Sequence, residues 1–121
     1  MANIIVLFEV KPTKDGLKKY LELASMLKPM LASFEGFIRS ERFSSLNGDG
    51  KLLSMSVWTD EAAVQRWRKD MHHRMSQKKG REKLFETYEI TVCSENRFYT
   101  NVDRLQAPQD SNQYFNEQQE G

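Results

Sequence analysis

Phe37-Ile38-Arg39-Ser40-Glu41-Arg42-Phe43-Ser44-Ser45-Leu46-Asn47-Gly48-Asp49-Gly50-Lys51-Leu52-Leu53-Ser54-Met55-Ser56-Val57-Trp58 is the stretch on which the fold turns. Residues 37–46 and 51–58 are extended in character, and the Asn47-Gly48-Asp49-Gly50 cluster between them is rich in residues that tolerate the positive φ of a tight reversal. The pattern predicts a β-hairpin. Its second arm leaves either Leu53, Met55 and Val57 or Leu52 and Trp58 on the outward face, and either set is too apolar to stand in water.

Upstream, Asn3-Ile4-Ile5-Val6-Leu7-Phe8-Glu9-Val10 is apolar on both alternations, as in a strand covered on both sides. Pro12 ends it, and Thr13 or Asp15 can cap the next segment, in which Leu17, Tyr20, Leu21, Ala24, Leu27, Leu31 and Phe34 form an amphipathic helical stripe. Downstream, Thr59 or Asp60 caps a second helical region, one helix or two short ones, with Ala63, Val64, Trp67, Met71 and Met75 in register until Gly80. Tyr88, Ile90, Val92 and Phe98 then alternate with Glu89, Thr91, Cys93, Glu95 and Arg97 in a closing strand of about twelve residues. The order is βαββαβ, a ferredoxin-like split βαβ of the α+β class with a four-stranded antiparallel sheet and both helices on one face. Residues 1–105 form this domain, and 106–121 read as a polar C-terminal tail that docks through Tyr114 and Phe115. A second copy packing sheet to sheet would cover the outer face, so a homodimer is expected.

Composition narrows the function. The chain has 121 residues, 39% hydrophobic, with 18 basic and 17 acidic side chains, so one domain fits and attraction to a polyanion by net charge does not. No run approaches the roughly 18 apolar residues of a membrane span, and the start lacks a basic leader, so a cytoplasmic protein without membrane contact is expected. Cys93 is the single cysteine, which excludes an internal disulfide and a thiolate metal site.

Several chemistries lack their residues. His72 and His73 are adjacent, so on a helix they point about 100° apart and cannot chelate one ion. Gly48-Asp49-Gly50 opens a strand and lacks the Gly-Lys-Ser/Thr of a phosphate loop, and no serine sits in a G-x-S-x-G elbow. RNA-recognition modules share this element order, but Lys51–Trp58 carries none of their Gly-aromatic signature, so no nucleic acid is expected. The eight basic residues between Arg66 and Lys83 read as a solvated helix face. What remains is a small-molecule pocket between helices and sheet, walled by Trp58, Trp67, Met71 and Met75, residues that could equally be plain core. His73, Gln77, Gly80 and Arg81 share one helix face and would offer an acid/base group, an amide and a cation. For Arg42 the simpler role is an ion pair across the hairpin.

Gly36-Phe37-Ile38-Arg39-Ser40-Glu41-Arg42-Phe43, Leu53–Trp58 followed by Asp60-Glu61-Ala62 and Trp67-Arg68, His73-Arg74-x-x-Gln77-x-x-Gly80-Arg81, and Phe85 with Tyr88 occur in this order over residues 3–99. In order and spacing they resemble the antibiotic biosynthesis monooxygenase (ABM) domains of the dimeric α+β barrel superfamily. The resemblance implies a ferredoxin-like protomer and a homodimer whose sheets pack into a barrel.

One branch of that family oxidises polycyclic aromatic substrates with O2 and no cofactor, the deprotonated substrate itself reducing oxygen; there the tryptophan matching Trp58 follows an asparagine by four residues, where this chain has Ser54. A second branch degrades haem; Trp67 matches its helical tryptophan, whereas Glu9 falls near its first-strand asparagine and Gln77 near its axial histidine. A third possibility is a dimer that binds a metabolite without turnover. The resemblance therefore implies a monooxygenase acting on a small hydrophobic or aromatic molecule without metal or cofactor, with haem as the alternative. The expected catalytic residues are His73 as proton acceptor with Trp58 and Trp67 walling the pocket, and the expected substrate contacts are Arg42, Phe43, Met55, Met71, Gln77 and Arg81.

Overall fold

The computed structural model describes residues 2–76 and 84–120, the side chains of residues 73, 75, 76 and 115–120 lying outside that description. The elements follow the order β1 (Ile4–Pro12), α1 (Gly16–Ala32), β2 (Phe37–Ser44), β3 (Leu52–Trp58), α2 (Glu61–Ser76), β4 (Phe85–Ser94) and α3 (Gln109–Glu120). The strands form one antiparallel sheet in the order β2-β3-β1-β4, the expected ferredoxin-like α+β arrangement. In the hairpin, Ser45 N–H donates to Lys51 O at 2.9 Å, and the reversal is made by Gly48 and Gly50 at φ +72° and +75°.

Each helix start is fixed by one side chain. Of the two candidates before α1 it is Thr13, whose Oγ1 accepts from Gly16 N–H at 2.9 Å, while Asp15 makes no side-chain cap. Thr13 also donates its backbone N–H to Leu84 O at 2.9 Å, tying the start of α1 to the start of β4. Before α2 it is Asp60, whose Oδ1 accepts from Ala63 N–H at 2.8 Å.

Register and alternation sort the sheet into two faces. Val6, Phe8 and Val10 of β1 share a face with Ser54, Ser56 and Trp58 of β3 and with Tyr88, Ile90 and Val92 of β4. The helices pack on this face, where Trp58, Ala63 and Val64 form a buried cluster joined by Ile4, Val6, Leu31, Phe34, Phe37 and Trp67. Ile5, Leu7, Leu53, Met55 and Val57 are on the opposite face, so of the two outward sets the sequence allows, Leu53, Met55 and Val57 is the one used.

One expectation is corrected. β4 ends at Ser94, and Phe98 lies beyond it, because Ser94 is paired with Ile4, the first residue of β1; the last bond, Glu95 N–H to Asn3 O at 2.8 Å, exhausts the partner strand. The polar C-terminal stretch holds α3, in which Tyr114 is 66% exposed, and the Phe115 side chain lies outside the described residues. Arg104 organises its start, donating to Asn112 Oδ1 at 3.0 Å, Ser111 Oγ at 2.9 Å and Thr100 O at 3.1 Å. A segment too polar to build a core becomes helical through such local bonds.

Candidate functional site

A cavity of about 610 Å3 opens between the helix-bearing face of the sheet and helices α1 and α2. Its floor is Val6, Phe8 and Trp58, continued by Ile90 and Val92 of β4; α1 lines it with Tyr20, Leu27 and Leu31, and α2 with Val64, Trp67 and Met71. Strand alternation adds hydroxyls to this apolar room, since Ser54 and Ser56 of β3 pair with Arg42 and Ser40 of β2 and all four face it. Serines in place of bulky apolar groups under two helices leave space where a core would otherwise close.

Trp58 is the fixed element of the site. It is 1% exposed, its Nε1–H donates to Ser56 Oγ at 2.9 Å, and Phe34 and Phe37 meet its ring edge-on at 6.1 and 5.4 Å. Trp67 extends the aromatic wall, 5.1 Å from Phe34 and 6.1 Å from Trp58 between ring centres. Across the cavity Arg42 stands over the Tyr20 ring, 5.3 Å from its centre, and donates from Nε to Tyr20 Oη at 3.4 Å. No carboxylate among the described residues pairs with Arg42, so the cross-hairpin ion pair is replaced by an aromatic partner on α1.

The structure thus brings together Trp58, Trp67, Met71 and Arg42 of the residues expected from sequence. Phe43 and Met55 do not join them: they pair with Leu53 and Glu41 on the opposite face, because an extended chain alternates and Arg42 and Ser54 occupy the cavity side. The His73 side chain, Gln77 and Arg81 lie outside the described residues. Sequence reading missed Tyr20, Ser40, Ser54, Ser56 and His72, all lining the cavity. The signal for the serines is the regular Ser-x-Ser alternation inside an apolar strand. Among the described residues no three of His, Cys, Asp and Glu could hold a metal ion.

Comparison with known proteins now bears on this geometry. The family model "Antibiotic biosynthesis monooxygenase" matches residues 3–79. The chain belongs to the antibiotic biosynthesis monooxygenase family. Among its relatives is a protein of Pyricularia oryzae named "Jasmonate monooxygenase ABM", 41% identical over 87 residues, which are 72% of this chain and 40% of that protein. The chain spans about 40% of the length of that relative. Solved structures of like fold include Rv0793 of Mycobacterium tuberculosis (TM-score 0.68, 15% identity, 82% of this chain and 100% of that one). SnoaB of Streptomyces nogalater, described as a cofactor-independent oxygenase, aligns with a TM-score of 0.63 and 15% identity over 81% of this chain and 97% of its own. These likenesses establish the ABM fold, and the family segment carries Trp58, Trp67, Met71 and Arg42.

Proposed function

We propose that this ABM-family chain is a cofactor-independent monooxygenase acting on a small apolar or aromatic substrate. The observation that carries the reading is the cavity itself: an apolar, tryptophan-walled room of about 610 Å3 into which the sheet turns Ser40, Ser54, Ser56 and Arg42. Such a site can do what cofactor-free oxygenation requires of a protein, which is to exclude water, orient the substrate and stabilise its anion. In the phenol case the substrate gives up a proton, its anion reduces O2, one oxygen enters the ring to give a quinone, and the other leaves as water. Trp58 and Trp67 would hold the ring, and Ser54 and Ser56 would face the developing oxyanion. Histidine on α2 would take the proton: His72 lines the cavity, and the neighbouring His73 is the residue expected from the sequence.

The haem alternative fits the structure poorly. Glu9, at the first-strand position where haem degraders use asparagine, faces away from Trp67 and is ion-paired with Lys51 at 3.5 Å. The proposal includes a homodimer, supported by Ile5, Leu7, Leu53 and Met55 on a face that neither α1 nor α2 covers.

Oxygen uptake tests the function, with electron-rich phenols and, because of the Pyricularia relative's name, jasmonate as first substrates. Uptake with one atom of labelled dioxygen appearing in the product, and none in a heat-denatured control, is expected. Thermal stabilisation by these compounds without uptake would make the chain a binding protein and overturn the enzymatic reading.

A further inference from the structure

We infer that the ligand of this cavity is an apolar molecule bearing one anionic oxygen group, a carboxylate in the first instance, seated on Arg42 beside Tyr20. The inference rests on the cavity being the functional site, not on turnover.

The charges around the cavity argue for it. Lys28, Arg42 and Arg68 reach the lining from three different elements, and none of them pairs with a carboxylate among the described residues. Glu41 is the acid that touches the same cavity, and its side chain alternates to the opposite face of β2, where it is in register with Met55. In a chain whose net charge is +1, this imbalance is local and is not a general basicity of the surface. A neutral apolar ligand would leave it without purpose, while an anion would meet attraction from several sides.

Arg42 is the seat because its geometry is set in advance. Its Nε–H is committed to Tyr20 Oη, and Tyr20, 7% exposed, holds the guanidinium plane by ring contact. The two terminal nitrogens remain for an incoming group, the fork that meets a carboxylate with two parallel bonds. Tyr20 is itself held by Phe85, edge-on at 5.3 Å, so the seat is braced through α1 against β4. Arg42 lies on the edge strand β2 and is itself exposed to solvent. A bound molecule would place its charged group there and its apolar body inward, against Phe8, Trp58 and Trp67.

Two fluorescent probes of one skeleton separate the charge from the apolar body: 8-anilinonaphthalene-1-sulfonate, an anion, and N-phenyl-1-naphthylamine, which lacks the sulfonate. The wild-type chain should bind the anion more tightly. Arg42→Gln should weaken the anion about tenfold and leave the neutral probe unchanged, which also certifies the fold. Arg42→Lys should fall between, and Arg68→Gln, removing a more distant charge, should cost about twofold or less. Equal affinity for both probes, equal losses in Arg42→Gln, an equal loss in Arg68→Gln, or binding of neither probe would overturn the seat. Retained anion preference without oxygen uptake would overturn the monooxygenase reading alone.

Discussion

Trp67 lies 6.1 Å from Trp58, its ring tilted by 40°, and the two indoles differ in how they are held. Trp58 is enclosed by Phe34, Phe37 and Trp67 and hydrogen-bonded to Ser56, whereas Trp67 is half-buried and forms the cavity wall. Trp58→Ala should therefore cost about 3–5 kcal/mol, the range for emptying a packed aromatic site, while Trp67→Ala should cost clearly less and act mainly on ligand binding. Urea unfolding of the two variants checks this. Equal losses of stability would mean that Trp67 is core in the same sense as Trp58.

Gly36 predicts a second, sharper stability effect. Its φ is +90°, and a methyl group there would press on the Ala63 methyl and come within 3.0 Å of Thr59 Oγ1, at the junction where Thr59 N–H donates to Gly36 O at 2.8 Å. Gly36→Ala combines backbone strain with overpacking and should lose about 2–4 kcal/mol. Gly48→Ala has the strain, φ +72°, with open space around it, and should lose about 1 kcal/mol. Thermal melts of the pair decide it, and a ratio near one would mean that the start of α2 yields to the added methyl.

The strand and helix order is legible because the hydrophobic period changes at Pro12, Gly36 and Asp60, each a local signal at an element boundary. The end of β4 is not, since the alternation runs on to Phe98 while the strand it needs, β1, stops pairing at Ile4. α3 has no clean apolar stripe to read, being started by Arg104 bonding to Ser111 and Asn112. In the site, Trp67 and Met71 are legible because a single apolar stripe on a helix can face one way. Phe43 and Met55 mislead because the hairpin is apolar on both sides, and the choice of face is made by α1 and α2, which lie elsewhere in the sequence.

That choice of face makes the proposed dimer testable at one position. Met55 is in register with Leu7 and Glu41 on the side away from the helices, so it would sit inside a sheet-to-sheet interface and contributes nothing to the cavity. Met55→Lys buries a charge in a dimer and exposes one in a monomer. Light scattering should give the dimer mass for the wild type and the monomer mass for the variant, with unchanged circular dichroism. A wild-type monomer would remove the sheet-to-sheet pairing, and a dimer persisting in Met55→Lys would move the interface to another surface.

His72 and His73 are neighbours in the sequence of α2, and each is replaced separately. His72 lines the cavity beside Met71 and Arg68, within the wall that Trp67 begins. If it is the group that accepts the substrate proton, His72→Ala should lower the oxygen uptake rate by about 100-fold or more, with dimer mass and binding of the neutral probe intact. The same loss should shrink steadily along a series of phenols of increasing acidity, because a substrate already ionised in solution has no proton left to give. A positioning role would instead lower the rate by a constant factor across the series. Should His73→Ala show the graded loss and His72→Ala none, the proton acceptor is His73, as expected from the sequence, and His72 lines the cavity without taking the proton.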